Sequence, residues 1–227
     1  MNANSSAAPG RAYRADIDGL RAVAILSVVL FHSGLLQLSG GFTGVDIFFV
    51  ISGYLIGGQI WTGVSAGDFR YARFYQRRCK RILPAFYAVT LFTLGAGLLL
   101  LSPWDLGLLG RSAFAATLSA SNILFWGTAN YFAGASDRYP LLMTWSLGVE
   151  EQFYAVIPLL MVLLARLRRN LILPVVLAVC ATSFLFACLE VARHPMLVFY
   201  TLPARAWELG VGVVLAILEV HRRIKES

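Results

Sequence analysis

The chain has 227 residues, 58% of them hydrophobic and 14% charged. A globular chain has about 45–50% apolar and about 25% charged residues. That excess excludes a disordered chain and an ordinary soluble domain, and three cysteines exclude a disulfide-stapled secreted module. What remains is an integral membrane protein. Its 19 basic against 12 acidic residues give a charge of +7, which in an apolar chain marks cytoplasmic loops and argues against nucleic acid as a partner.

Residues 1–13 are small and polar and read as a disordered cytoplasmic tail, with no pattern of a cleaved signal peptide. A crossing needs about 20 apolar residues. Six segments qualify, at 20–38, 43–61, 84–102, 145–165, 171–190 and 200–219. Small and polar residues interrupt each one, so these helices pack on one another. Pro84 reads as the opening of the third helix, and Pro158 predicts a kink in the fourth. A further apolar stretch, 106–126, carries Arg111, Ser112, Ser119, Ser121 and Asn122, behind the capping-type Ser102. With the N-terminus inside and six crossings, every Lys and Arg except Arg111, Arg138, Arg193 and Arg205 falls on the inner side. A full crossing by 106–126 would turn the arginines at 166–169 outward, so that stretch reads as a re-entrant or interfacial helix. The expected fold is an all-α, polytopic transmembrane helix bundle, with no second domain. Cys79, Cys180 and Cys188 show no metal-ligand spacing and read as small buried residues, and no metal site is expected.

Ionisable residues at membrane depth cost about 2.5–3.5 kcal/mol each on insertion scales, so each is a functional candidate. His32 lies 11 residues after Arg21, a spacing that puts both on one helix face about 16 Å apart. Arg14 and Asp18 fall near the same stripe. His32 can exchange a proton near neutrality, or serve as a hydrogen-bonded packing residue. Asp46 opens the second helix and reads as a capping carboxylate or as the head of a groove floored by Gly53 and Gly57. Ser52 lies mid-membrane, followed by Tyr54. Glu150 and Glu151 are adjacent, and one of them needs a raised pKa or a cation partner. Ser146, Glu150 and Tyr154 recur every fourth residue and share a face. Arg205 and Glu208 read first as an intrahelical ion pair, three residues apart. His32, Asp46, Glu150 and Arg205 are thereby expected in the outer half. The basic, aromatic-rich stretch 68–83 is expected on the inner face, lying on anionic lipid or clamping an anionic ligand.

Five stretches and one spacing carry a family resemblance. They are 13–24 with its Arg21/His32 spacing, the Gly-Phe-Thr-Gly-Val-Asp run of 41–56, and the arginine run of 73–84. The others are Thr144-Trp145-Ser146 through Tyr154, and 199–212 around Arg205 and Glu208. Together, in this order, they make 14–227 similar to the membrane-bound acyltransferase-3 family, whose members O-acetylate O-antigen, exopolysaccharide or peptidoglycan. The resemblance implies a transmembrane acyltransferase domain in a bacterial inner membrane, and acyl-CoA, of the acetyl type, as a cytoplasmic co-substrate with no tightly bound cofactor. It also implies a carbohydrate hydroxyl as the extracytoplasmic acceptor. It makes His32 the essential histidine and Arg21 its partner; Asp46 or Glu150 is then expected to orient the imidazole. Arg14, Arg21, Arg77, Arg78 and Arg81 become donor-binding residues. Ser52, Tyr54, Trp145, Ser146, Glu151, Arg205 and Glu208 fall to an acceptor or structural site. Family members have around ten helices, so this stretch corresponds to part of such a domain. Two other readings stay open: a transporter or flippase for an anionic or lipid-linked sugar, and an inactive membrane scaffold.

Overall fold

A computed structural model describes residues 14–33, 40–128 and 139–226. The expected tail at 1–13 and Arg138 lie outside the described residues, as do 34–39. The described residues form helices and short turns, with no strand among them. The order is α1 (Ala15–Ser33), a 3-10 turn (Gly41–Thr43), α2 (Gly44–Ala66), α3 (Tyr71–Leu100), α4 (Pro103–Thr117) and α5 (Ser121–Thr128). Then come α6 (Thr144–Arg168), a 3-10 turn (Arg169–Leu171), α7 (Ile172–Glu190), α8 (Pro195–Tyr200) and α9 (Leu202–Glu226).

Among the described residues, three stretches are long and apolar enough to cross a membrane: Gly41–Ala66, Tyr71–Leu100 and Thr144–Glu190. The last holds both α6 and α7, which meet where Arg168 adopts an extended backbone. Large apolar side chains on α3 face outward, Phe92 at 78% and Leu99 at 86% exposure, as lipid-facing residues do.

The interior is organised by α2, α6, α7 and α9. Phe49, Trp145, Tyr154, Met161, Leu209 and Ile217 are essentially fully buried there. Backbone proximity sets the α2–α9 crossing. A methyl group at Gly53 would overlap the Leu209 carbonyl, and one at Gly212 would overlap the Val50 carbonyl. α1 runs antiparallel to α2, with Gly44 against Ala24 and Gly41 against Ser27 and Phe31. α2 stops at Gly67, whose φ of 71° suits a glycine C-cap.

Several expectations change. The third helix begins at Tyr71, so Pro84 lies inside it and the arginine run is already helical. The stretch 106–126 is two helices, α4 and α5, broken where Ser119 takes φ 55°. At about 1.5 Å per residue neither helix is long enough to cross the membrane. Ser102 does cap α4, accepting from the Asp105 N–H at 3.2 Å. Only Cys180 is buried; Cys79 and Cys188 are exposed, because their helix faces look away from the core.

Candidate active site

The site begins with a proline. Pro158 has no N–H, so the carbonyl four residues back, at Tyr154, loses its helical partner. The Tyr75 hydroxyl donates to that carbonyl at 2.9 Å, and the Tyr71 hydroxyl donates to the Pro158 carbonyl at 3.3 Å. These bonds lay the first turns of α3 antiparallel along α6. One turn further on, Arg78 reaches the two glutamates.

Arg78 Nε donates to Glu151 Oε1 at 2.8 Å, and its Nη2 lies 3.6 Å from Glu150 Oε2. Its guanidinium sits 3.7 Å over the Tyr154 ring. Ser52, from α2, donates to Glu150 Oε1 at 3.0 Å, and the Tyr154 hydroxyl donates to Glu150 Oε2 at 3.4 Å. Glu150 is thus fixed by α2, α3 and its own helix.

These groups border a cavity of about 510 Å³. Arg21, Arg77, Arg78 and Arg81 supply cations, and Ser52, Glu150 and Tyr154 supply a hydroxyl–carboxylate cluster. Phe48, Ile51, Leu55 and Leu147 make apolar wall. The expected separation of an inner arginine cluster from an outer Glu150 is therefore corrected. Starting α3 at Tyr71 carries Arg78 about 10 Å along its helix, level with Glu150. Ser146 shares the helix stripe but does not line the cavity; its hydroxyl donates to the Met143 carbonyl at 3.2 Å.

A second charged cluster lies about 9 Å further along α2. Arg205 Nη1 contacts Asp46 Oδ1 at 2.5 Å and Glu208 Oε1 at 2.7 Å. Its Nε donates to the Phe199 carbonyl at 3.1 Å, and Trp145 and Phe199 cover its guanidinium. The expected Arg205–Glu208 pair is present, and Asp46 joins it from α2. Trp145 is a buried wall of this cluster, 4.6 Å from the Phe199 ring.

Arg14 and Tyr54 meet in a third place. Arg14 Nη1 donates to the Tyr54 hydroxyl and to Glu219, each at 3.1 Å, and Tyr54 donates to Glu219. Beside it lies a smaller cavity of about 320 Å³. Arg14 also holds the neighbouring Asp16 carboxyl down at about 2. Arg21 pairs with Asp18 at 3.5 Å and faces the larger cavity. The two expected stripe arginines therefore serve different cavities.

His32 lies on the last turn of α1, and its side chain is outside the described residues. Ala24 lies against Gly44, so the His32 backbone is about 12 Å along α1 from that crossing. Asp46, two residues after Gly44, lies the other way. The expected contact of its imidazole with Asp46 or Glu150 lies outside the described residues.

An acyltransferase-3 family model, described as "Acyltransferase domain", matches residues 14–227. The chain belongs to that family. It is 36% identical over 206 residues to a Komagataeibacter xylinus protein named as a candidate membrane-bound transacylase, BcsY, covering 90% of this chain and 51% of that one. It is 33% identical over 223 residues to a Bacillus subtilis (strain 168) protein named as a candidate peptidoglycan O-acetyltransferase, YrhL, covering 95% and 35%. It is 34% identical to a Staphylococcus aureus (strain MSSA476) protein named as a candidate O-acetyltransferase, SAS0844, covering 95% and 36%. The chain spans about half or less of the length of these relatives. No solved structure matches it significantly.

Within this acyltransferase-3 domain, sequence reasoning missed Tyr75, Gln59 and Glu219. Gln59 lines both cavities. Tyr75 carried a signal: a tyrosine three residues before Arg78 and a proline four residues after Tyr154.

Proposed function

We propose that this chain is the transmembrane part of an O-acyltransferase that moves an acyl group, of the acetyl type, from cytoplasmic acyl-CoA to a hydroxyl of an extracytoplasmic carbohydrate. It sits in a bacterial inner membrane with its N-terminus inside and crosses six times. Acyl-CoA is a co-substrate, and no tightly bound cofactor takes part. The observation that carries this reading is the larger cavity, where arginines from α1 and α3 face a hydroxyl-bonded carboxylate across apolar wall. Guanidinium groups bind phosphate oxygens bidentately, which suits the anionic end of the donor. The apolar wall suits its uncharged arm. The names of the relatives support acyl transfer to oxygen.

In the reaction the acceptor hydroxyl oxygen forms a bond to the thioester carbonyl carbon, the C–S bond breaks, and the hydroxyl proton ends on the departing thiol. His32, by resemblance, is the imidazole that takes this proton or carries the acyl group between donor and acceptor. Glu150 contributes an oriented carboxylate beside the path of the donor. The Asp46–Arg205–Glu208 cluster belongs to the acceptor side or to the framework beneath it.

The test is acetyl transfer by membranes carrying His32→Gln or Glu150→Gln. General acid–base groups contribute about 100-fold or more. His32→Gln is expected to lose at least that factor with normal membrane insertion, and Glu150→Gln to lose a smaller but clear one. Full transfer by His32→Gln would contradict the assignment.

A further inference from the structure

The four arginines around the larger cavity are not equivalent. The Arg78 side chain is 11% exposed and that of Arg21 is 31% exposed. Arg77 and Arg81 are exposed and make no ion pair among the described residues. Arg77 and Arg81 are four apart and share an exposed helix face, while Arg78 sits at its more buried edge, three residues before Arg81. Arg78 is already committed. Its Nε and Nη2 both lie 2.8 Å from Glu151 Oε1, its Nη2 lies between the two glutamates without an aligned hydrogen bond, and one face is covered by Tyr154. Arg78 is thus already matched by carboxylate and offers no free cation. A phosphate brought to Arg78 would meet Glu150 and Glu151 at close range and be repelled.

We infer that Arg78 is a positioning residue for Glu150 and takes no direct part in holding the donor's phosphates, which fall to Arg21, Arg77 and Arg81. The inference rests on the acyl-CoA reading above. Glu151 is the second half of the device. It takes up the Nε edge of Arg78 and so holds the guanidinium against Glu150. Ser52 and Tyr154 fix the remaining lone pairs of that carboxylate. The arginine run thus divides its work: one residue shapes the carboxylate, and two neighbours on the adjoining stripe meet the anion.

The experiment measures the dissociation constant of radiolabelled acetyl-CoA by equilibrium dialysis on the detergent-solubilised chain, alongside acetyl transfer from saturating acetyl-CoA in membranes. Arg77→Gln and Arg81→Gln are expected to weaken acetyl-CoA binding about 10-fold, the scale of a lost charged hydrogen bond. Arg78→Gln and Glu151→Gln are expected to leave binding within about threefold and to lower transfer about 10-fold or more, with Arg78→Lys recovering part of the loss. If Arg78→Gln fails to fold, Arg78→Lys and Glu151→Gln decide the matter through the same two measurements. Weakening of acetyl-CoA by the Arg78 and Glu151 variants as large as by Arg77→Gln overturns the inference. Unsubstituted chain that binds no acetyl-CoA overturns the donor reading, and this assignment with it.

Discussion

The hydroxyl of Tyr75 donates to the main-chain carbonyl of Tyr154 at 2.9 Å, and that carbonyl is free because Pro158, four residues on, has no N–H. A helix defect on α6 is thus the docking point of α3. Tyr75→Phe removes the donor and leaves a carbonyl unpaired, at a cost of about 1–3 kcal/mol. Pro158→Ala gives the carbonyl back its helical partner, so the same Tyr75→Phe change should cost much less in that background. Thermal unfolding of the four proteins in detergent measures the coupling. Equal costs in both backgrounds would show that the proline does not create the site.

The α2–α9 crossing makes a sharper demand. Gly53→Ala and Gly212→Ala each drive a methyl into a main-chain carbonyl of the facing helix. Overpacking of this kind costs about 1–3 kcal/mol. Gly58→Ala is the control, since its added carbon would stand an ordinary 3.7 Å from Ala216 Cβ. Folded yield and unfolding temperature should fall for the first two and hold for the third. A loss at Gly58 equal to that at Gly53 would point to helix propensity or lipid contact instead of the crossing.

Arg205 pairs with two carboxylates at once, the buried Glu208 and the partly exposed Asp46. Removing one partner of a buried ion pair costs about 3–5 kcal/mol, because the other charge stays behind unpaired. Arg205→Met is expected to destabilise on that scale. Adding Glu208→Gln and Asp46→Asn to Arg205→Met should recover much of the loss, since no buried charge then remains. Unfolding midpoints compare the variants. A triple variant no more stable than Arg205→Met would mean that the side chain's packing against Trp145 and Phe199, and not its charge, dominates.

Much of the site was legible in residue spacing, and the reasons it stopped short are physical. Helical periodicity placed Glu150 and Tyr154 on one face, and their adjacency marked one of the paired glutamates as needing a raised pKa or a cation. It also found the Arg205–Glu208 pair, because three-residue contacts are local to a helix. It did not find Asp46 on Arg205 or Ser52 on Glu150, because contacts between helices depend on crossing geometry that no single helix encodes. Depth was misjudged for the same reason. Reading Pro84 as a helix start shortened α3 by 13 residues and set its arginines on the inner face, when the helix begins at Tyr71. The stretch 106–126 hid its break because the turn falls on Ser119, a residue that rarely adopts positive φ. The family resemblance spanned nearly the whole chain, and the family match covers 14–227.

The central claim is acyl transfer, and label transfer tests it most directly. Membranes carrying this 227-residue chain are incubated with radiolabelled acetyl-CoA and crude cell-envelope polysaccharide, beside membranes carrying His32→Ala. Label is expected in the polysaccharide and is expected to disappear in the variant. Equal label with the unsubstituted chain and with His32→Ala would contradict the claim.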